Sequence, residues 1–464
     1  FCCLMQEIKN GIDRTHLILR RNRIGCMETE MIRAAGAQPG GEWRFSVLDR
    51  ACLNMVIKGM WLFHGRLDAA AMKESFARLL GYYPHLCGRV MRGEAVACDN
   101  SGVPFAVDEA PRCRLEQAVL MPDAPKRFGA HFDLSGFKRG RQAPLSVRLT
   151  RLADGTVLSL HGAHGCMDGD AFYTLVENWG RLHRGEPVVQ PVADQSLLPQ
   201  PATLSAEELL RSVKAAGWYP VGWRQLFQTV WAAATGIGRR RSLPLHIGAG
   251  DLEQLRQAFN DRHGVRYGIH VILSALVAKM CIRLEGLAPE TACSHITVTD
   301  LRGRIPGLPA GFAGNAVCNL TAGPFPAGST LFEVAASVDA MLRKMFGDDG
   351  AGLGEFTALY FAAIAGRVPY LPINLSGMNS RRPTVFYVND FLKLPLYGAE
   401  FGTGAPYAVL PHDLPDQVKI WPSPPDRPGA DLYFTGHLAR LVDSSDTAGL
   451  LADMLREYGV TLTV

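Results

Sequence analysis

Apolar positions change their spacing several times along the chain, and each change marks a predicted strand or helix. LNMVIKGMWLF at 53–63 is apolar enough for a buried strand, and LDAAAMKESFARLLGYYP at 67–84 has the spacing of an amphipathic helix with Asp68 near its start. PLSVRLTRL at 144–152 and TVLSLHGAH at 156–164 alternate and flank a short Asp-Gly turn. These two segments are predicted to pair as a hairpin.

The spacing then switches from two residues to 3.6 at a stretch with chemically active side chains, SLHGAHGCMDGDAF at 159–172. The predicted strand ends at His164, and the helix pattern begins near Asp168. A neutral imidazole, with an ordinary pKa of ~6.5, can take a proton from an alcohol or an amine. Asp168 could cap the helix or form an ion pair. Taken alone the pattern is weak, because HxxxD is common and a histidine beside an apolar strand is usually structural.

A second set of strands and helices follows a segment rich in proline, glutamine and glycine. Its predicted elements are a helix at 271–284, strands at 295–304, 383–391, 417–422 and 431–436, and a closing helix at 446–459. We therefore predict an N-terminal extension over 1–44, a first lobe over 45–190, a crossover connection over 191–245 and a second lobe over 246–464. Two α/β halves of similar size are typical of an enzyme with its site between the halves.

Composition narrows the class of protein. The 464 residues are 47% hydrophobic and 20% charged with a net charge of +4, which excludes a disordered chain and leaves no basic surface for nucleic acid. No apolar stretch approaches the ~18 residues of a membrane span. The 11 cysteines lack CxxC spacing, so we predict neither a metal site nor a disulfide framework. Free cysteines fit a protein of the reducing cytoplasm, which is the location we predict. Residues before Met27 show no periodicity and are interpreted as an upstream translation artefact or part of a fragment, with Met27 as the working start; their deletion is expected to leave activity and Tm unchanged.

Four segments in order resemble the BAHD superfamily of acyl-CoA-dependent acyltransferases. They are LCGRV at 86–90, HGCMDG at 164–169, VTDLRGRIPGLPAGFAGNAV at 298–317 and NDFLKLPLYGAEFGTGAP at 389–406. The family patterns are an AGR-like strand, HxxxDG, VDxRxR followed by YFGN, and DFGWG. The third segment matches at Asp300, Arg302, Arg304, Gly314 and Asn315. In the fourth, Phe401, Gly402, Gly404 and Pro406 fit, whereas Glu400, Thr403 and Ala405 stand for aspartate, tryptophan and lysine.

This resemblance implies an α/β (α+β) fold of two chloramphenicol-acetyltransferase-like lobes, each a mixed sheet flanked by helices, with a channel between them. His164 would be the general base for direct acyl transfer from acyl-CoA, a co-substrate, to a small-molecule alcohol or, less often, an amine. No tightly bound cofactor is implied, and the protein would be a monomer. Asp168, with Gly169, would support the site by pairing with Arg302. The turn formed by Glu400, Phe401, Gly402, Thr403 and Gly404 would be structural.

Several alternatives stay open at this stage. Cys166 could be an acyl-accepting nucleophile, although consecutive loop positions seldom aim two groups at one carbonyl. His161 with His164 has no evident third metal ligand. Gly314 and Asn315 could border the CoA or acyl channel or only shape a turn, and the arginines at 239–241 could meet the CoA phosphates. Condensation domains and wax-ester-forming acyltransferases usually carry a second histidine where this chain has Ala163. A non-catalytic, small-molecule-binding relative is the remaining alternative.

Overall fold

The computed structural model describes residues 28–36, 40–121, 123–223, 225, 242, 244–347, 351–380, 382–411, 418–444 and 446–461. The predictions for residues 1–26 and for the arginines at 239–241 lie outside the described residues. None of the helices in the described ranges is long and apolar enough to cross a membrane.

Strands and helices are interspersed along the described chain and include the elements that the apolar spacing predicts. The strands are β1 (Glu28–Ile32), β2 (Glu42–Arg44), β3 (Val56–His64), β4 (Arg89–Met91), β5 (Ala95–Ala97), β6 (Val103–Ala110), β7 (Leu145–Leu152), β8 (Gly155–Ala163), β9 (Tyr219–Pro220), β10 (Leu245–Gly248), β11 (Ala292–Asp300), β12 (Val317–Pro326), β13 (Tyr370–Leu371), β14 (Val385–Asp390), β15 (Ala408–Leu410), β16 (Val418–Pro422) and β17 (Gly429–Phe434). The helices are α1 (Val47–Cys52), α2 (Ala69–Tyr82), α3 (Leu115–Leu120), α4 (Ala124–Phe128), α5 (Leu134–Lys138), α6 (Gly169–His183), α7 (Ala206–Ala215), α8 (Ala249–His263), α9 (Ile269–Glu285), α10 (Leu331–Phe346), α11 (Ala351–Ala365), α12 (Leu375–Met378), α13 (Gly436–Ser444) and α14 (Thr447–Arg456).

The first large sheet has the strand order β1-β6-β7-β8-β3-β15. Its centre is the predicted hairpin, because β7 and β8 pair antiparallel and β8 pairs along its whole length with β3. Helices α2 and α6 pack on one side, where Trp61, Phe76 and Trp179 are fully buried. Helix α2 begins at the predicted cap, since the Asp68 carboxylate accepts a hydrogen bond from the amide of Ala71 at 2.9 Å.

The second large sheet has the strand order β10-β17-β16-β14-β11-β12 and packs one side against α9 and α10. The predicted strands at 383–391, 417–422 and 431–436 form β14, β16 and β17 with slightly different ends. The predicted strand at 295–304 instead begins at Ala292 and ends at Asp300. The chain turns after Asp300, and Gly303 adopts a φ of 65°, a backbone conformation that favours glycine.

Two segments depart from the predicted lobe boundaries. Residues 28–44 are not an extension, because β1 pairs with β6 at the edge of the first sheet and β2 pairs with β5 in a small three-stranded sheet. Strand β15 lies within the predicted second lobe but pairs with β3 of the first sheet. The indole of Trp421 in β16 donates to the carbonyl of Val409 in β15 at 2.9 Å, which ties the second sheet to the first. The two sheet-containing halves nevertheless confirm the predicted α/β fold class.

Candidate active site

His164 lies where strand β8 ends and the chain turns toward helix α6. Its amide donates to the carbonyl of Met55 at 3.0 Å, and residues His164–Cys166 form one turn of 3-10 helix. A Cβ atom at position 165 would lie 2.7 Å from Cδ2 of Leu53, so glycine allows the neighbouring segment to approach the turn closely. The side chain of His164 is only 8% exposed. Its environment is therefore set by the protein.

The imidazole of His164 faces the side chain of Asn315, which lies just before strand β12. Nδ1 of His164 is 3.1 Å from Oδ1 of Asn315. The amide nitrogen of Asn315 donates to the His164 carbonyl at 2.8 Å and to Oδ1 of Asp49 at 2.7 Å. Residues from both sheet-containing halves thus meet at the histidine.

Asp49 completes this network and was not predicted from the sequence to be a site residue. It is fully buried in α1, where its second carboxylate oxygen accepts from the amide of Ser46 at 2.8 Å. Burial raises the pKa of Asp49 to about 6, against the hydrogen bonds from Asn315 and Ser46 that lower it. The Ser46-x-x-Asp49 spacing is a capping-box signal, which predicts a helix start but no link to position 315.

Asp168 and Arg302 meet in a buried bidentate ion pair. Nη1 of Arg302 lies 2.9 Å from one oxygen of Asp168, and Nη2 lies 3.0 Å from the other. Asp168 also caps α6 by accepting from the amide of Ala171 at 3.0 Å, so it both caps the helix and forms an ion pair. Its other oxygen accepts from the amide of Ala316 at 2.8 Å, and Arg302 donates to the Gly314 carbonyl at 2.8 Å. The pair therefore holds the backbone on both sides of Asn315.

Three carboxylates surround the Arg302 guanidinium. Asp300 lies 2.8 Å from Nη1, and Asp170 lies 3.5 Å from Nε. Burial alone would lower the pKa of Arg302, but Asp168, Asp300 and Asp170 together raise it above its ordinary value. Burial raises the pKa of Asp170 to about 7, and the other carboxylates add to the effect while Arg302 opposes it. The guanidinium stays charged, whereas Asp170 changes charge near neutral pH.

The two glycines of the predicted site differ. A Cβ atom at position 314 would lie 2.8 Å from Nε2 of Gln195 and 3.0 Å from the ring of Phe312, so a larger residue there would have to displace these side chains. A Cβ atom at position 169 would make only an ordinary contact, 3.7 Å from Leu394. Nothing in the space around residue 169 explains why it is glycine. Arg304, which also matched the family pattern, is exposed and stacks on the ring of Phe346 at 4.8 Å, away from His164.

The geometry gives little support to the two alternative hypotheses, a cysteine nucleophile and a metal site. Cys166 is completely buried, and burial with the nearby Asp49 carboxylate raises the pKa of its thiol well above the ordinary value. A neutral thiol is a poor nucleophile. His161 is half-buried on β8, next to Gly129. Within the described ranges no group of three or more metal-ligating side chains occurs.

The turn at 400–404 lies against helix α6. The Glu400 carbonyl accepts from Arg184 at 2.6 Å, and the buried ring of Phe401 packs edge-on against Trp179 at 5.2 Å. Gly402 and Gly404 have φ values of 85° and 88°, which favour glycine. Thr403 and Ala405, two of the three positions that depart from the family pattern, are exposed, and the third, Glu400, is half-buried. Phe401, which matches the pattern, keeps the buried contact.

Comparison with known proteins agrees with this architecture. The family described as the transferase family matches residues 22–435. Hydroxycinnamoyl-CoA:5-hydroxyanthranilate N-hydroxycinnamoyltransferase HHT1 of Avena sativa is 26% identical over 386 residues, 74% of this chain and 78% of that protein. Myricetin 3-O-glucosyl 1,2-rhamnoside 6'-O-caffeoyltransferase AT1 of Crocosmia x crocosmiiflora is 25% identical, over 77% of this chain and 81% of that protein.

Among solved structures, F. sporotrichioides TRI101 complexed with coenzyme A and T-2 has the same fold. The TM-score is 0.67 at 12% identity, covering 88% of this chain and 98% of that one. The match over nearly the whole chain, and not the site alone, identifies the family. This chain therefore belongs to the transferase family of acyl-CoA-dependent O- and N-acyltransferases, the BAHD superfamily that its motifs resemble.

Proposed function

We propose that the protein transfers an acyl group directly from acyl-CoA to a hydroxyl or amine of a small molecule, with His164 as the general base. The observation that supports this role is the orientation of the Asn315 amide opposite Nδ1 of His164. Asp49, Asn315 and His164 form a chain in which each side chain orients the next. Asp49 and Asn315 are positioning residues in this scheme.

The amide fixes the tautomer of the histidine. Its nitrogen donates to two oxygens, the Asp49 carboxylate and the His164 carbonyl, so a flipped amide would set an oxygen against two acceptors. Oδ1 of Asn315 can only accept, and Nδ1 of His164 must therefore carry the proton. The lone pair is left on Nε2, where a general base needs it.

The reaction follows from that tautomer. Nε2 takes the proton of the acceptor hydroxyl or amine as its oxygen or nitrogen attacks the thioester carbonyl. The tetrahedral intermediate collapses with loss of the CoA thiolate, which receives the proton back from the imidazolium. One ester or amide and one free thiol are formed, and the histidine returns to its starting state. Nδ1 keeps its hydrogen bond to Asn315 throughout, which stabilises the imidazolium.

The Asp168 and Arg302 pair has a supporting role in this proposal. It binds the backbone at Gly314 and Ala316, on either side of Asn315, while Asp49 binds the Asn315 side chain. A general base is effective only when it is held at hydrogen-bonding distance from its proton. The ion pair thus acts on the reaction through the position of Asn315.

We also propose that the protein works as a monomer in the cytoplasm, in the metabolism of specialised small molecules. The hydrogen-bonded series of Asp49, Asn315 and His164 is formed within one copy of the protein, which supports a monomeric site. The eight cysteines in the described part of the chain are free thiols, as a reducing compartment favours. Relatives with O- and N-acyltransferase names support both acceptor types, and a hydroxyl acceptor remains our first expectation.

The direct test replaces His164 with alanine and follows thiol release from acyl-CoA in the presence of a panel of alcohols and amines. Turnover is expected to fall by at least about 100-fold, with thermal stability little changed. The wild-type rate should fall with acid as His164 gains a proton, and this limb should be absent from the variant. His161→Ala, three residues earlier near the end of strand β8, is the matched control and should retain turnover.

Near-normal turnover of His164→Ala would refute the role of the base. A non-catalytic, small-molecule-binding protein makes a different prediction: the wild-type chain would bind ligands but release no thiol with any acceptor in the panel.

A further inference from the structure

The two sides of the second sheet differ in exposure along strands β11, β12 and β14. In a fully closed core, the residues on both sides of these strands would be buried. Along β11, β12 and β14, one set of alternating residues is buried against α9 and α10. On the other side Ser294, Ile296 and Val385 are buried, whereas the remaining residues are half-buried: Val298, Asp300, Val317, Asn319, Thr321, Tyr387 and Asn389. Strand pairing puts this second set on one side, because Ile296 lies opposite both Thr321 and Tyr387.

This half-buried side, which we call the inter-lobe side, faces the first sheet. Trp421 and Lys419 continue it on β16, since Lys419 lies beside Asn389 in the register. Trp421 is fully buried in the core of the first sheet and donates to Val409 of β15. The halves are therefore packed together at β16, whereas the part over β11, β12 and β14 is accessible.

The accessible part begins at the proposed reaction centre. Asp300 touches Arg302, and Val317 follows Asn315 by two residues. Asn319 follows Asn315 by four residues, at most about 14 Å of extended chain. A small organic molecule that reacts beside His164 can span that distance. The far end is closed by an apolar segment, because Ile373 packs on Ile296 and Val385.

A neutral hydrogen-bonding cluster lies on this surface. The Tyr387 hydroxyl donates to Oδ1 of Asn319 at 2.8 Å, and the Asn319 side chain also hydrogen-bonds the phenol of Tyr360 on α11. Burial raises the pKa of Tyr360, so that phenol is uncharged at physiological pH. The cluster offers hydroxyl and amide groups, which can both donate and accept.

The charges around the cluster restrict what it can bind. Of the residues named on the inter-lobe side, only Asp300 and Lys419 are ionisable at neutral pH. Asp300 is paired with Arg302, and Lys419 has no exposed surface. A carboxylate or a CoA phosphate would therefore lack an accessible counter-charge here, and would lose hydration without compensation.

We propose that the Asn319–Tyr387–Tyr360 cluster is a specificity site that binds a neutral hydroxyl group on the far end of a substrate whose reacting group lies at His164. The inference rests on the proposed acyltransferase function. Such a hydroxyl can belong to the acyl group, as in a hydroxylated aromatic acid, or to the acceptor, as in a diol or hydroxylated aromatic alcohol. The chemistry of recognition is the same in both cases.

The experiment compares pairs of substrates that differ by one hydroxyl. One arm uses 4-hydroxycinnamoyl-CoA and cinnamoyl-CoA with a fixed acceptor, and the other uses 2-(4-hydroxyphenyl)ethanol and 2-phenylethanol with a fixed donor. The readout is the ratio of kcat/KM values for the hydroxylated and plain members. Tyr387→Phe and Asn319→Ala are expected to lower this ratio about three- to tenfold in one arm, which identifies the substrate that carries the hydroxyl.

Tyr458→Phe is the matched control, because it also removes a largely buried phenol hydroxyl, 3.4 Å from Nε2 of His263 and outside the inter-lobe side. Its ratios should equal those of the wild type. Unchanged ratios for Tyr387→Phe and Asn319→Ala in both arms, or a wild-type preference for a carboxylate or ammonium in place of the hydroxyl, would overturn the specificity site while leaving the acyltransferase intact. Absence of thiol release by the wild type with every pair would instead count against the proposed function itself.

Discussion

Removal of the Asp168 carboxylate should destabilise the fold in a way that depends on Arg302. Asp168→Ala leaves the buried Arg302 with Asp300 at 2.8 Å and Asp170 at 3.5 Å, so its charge stays partly compensated. Breaking a buried pair costs ~3–5 kcal/mol, and the remaining carboxylates place the expected loss near the lower value, about 3 kcal/mol. Asp168→Ala also removes the N-cap of α6, whose carboxylate binds the Ala171 amide, and this adds about 1 kcal/mol to the loss of stability.

A total of about 4 kcal/mol corresponds to a decrease in Tm of roughly 8–16 °C for a lobe-sized unit. Differential scanning fluorimetry and calorimetry of purified wild type and variant would measure it. Asp453→Ala, which removes an exposed ion pair with Arg456, is the matched control and should change Tm by only a degree or two.

The double variant Asp168→Ala, Arg302→Leu isolates the interaction. Once the guanidinium is gone, removing Asp168 no longer deprives a buried charge of its partner and relieves repulsion with Asp300 and Asp170, so the double variant should be more stable than the sum of the two single changes predicts. If the losses of unfolding free energy in the two single variants added strictly in the double variant, the proposed interaction between Asp168 and Arg302 would be refuted. The soluble fraction of Asp168→Ala should also have a lower kcat, since Asn315 loses the contact at Ala316.

Four further experiments test other parts of the site and the turn beside it. Asn315→Ala should lower kcat at least tenfold with little change in KM, because Nδ1 of His164 loses the acceptor that sets its tautomer; a change confined to KM would contradict this. Asp170→Asn should raise Tm more at pH 8 than at pH 5. The folded-state pKa of Asp170, about 7, exceeds its ordinary value of 3.8, so the wild type alone loses stability as pH rises through that window; equal differences at both pH values would oppose this reasoning. Cys166→Ala should keep most activity, and mass spectrometry with acyl-CoA alone should find no acyl adduct on the wild type; an adduct on Cys166 would establish an acyl-enzyme. Phe401→Ala should cost ~3–5 kcal/mol, whereas Thr403→Trp at the exposed neighbouring position should leave Tm within a few degrees of wild type; similar losses would show that the turn is stabilised differently.

The sequence alone determined the strand, turn and helix around His164. Alternation over 144–164, an Asp-Gly turn and apolar residues at helical spacing after Asp168 are local signals, and each depends on neighbours within a few residues. The order of the motifs also predicted the family and the partners Asp168 and Arg302. The short strand β15 was missed because three residues are too few to show a period, and the strand at 28–32 was missed because it lies in a segment with no other regular pattern.

Only the tertiary structure decided which side chain contacts the His164 imidazole. Asp49 and Asn315 are 266 residues apart and are brought together by the packing of α1 against the loop before β12. No periodic pattern encodes such a contact, because the spacing of apolar residues specifies which face of an element is buried and not which partner it meets. The same limit applies to Asn319 and Tyr387, 68 residues apart on β12 and β14, where only the pairing of both strands with β11 places the two side chains on one side of the sheet.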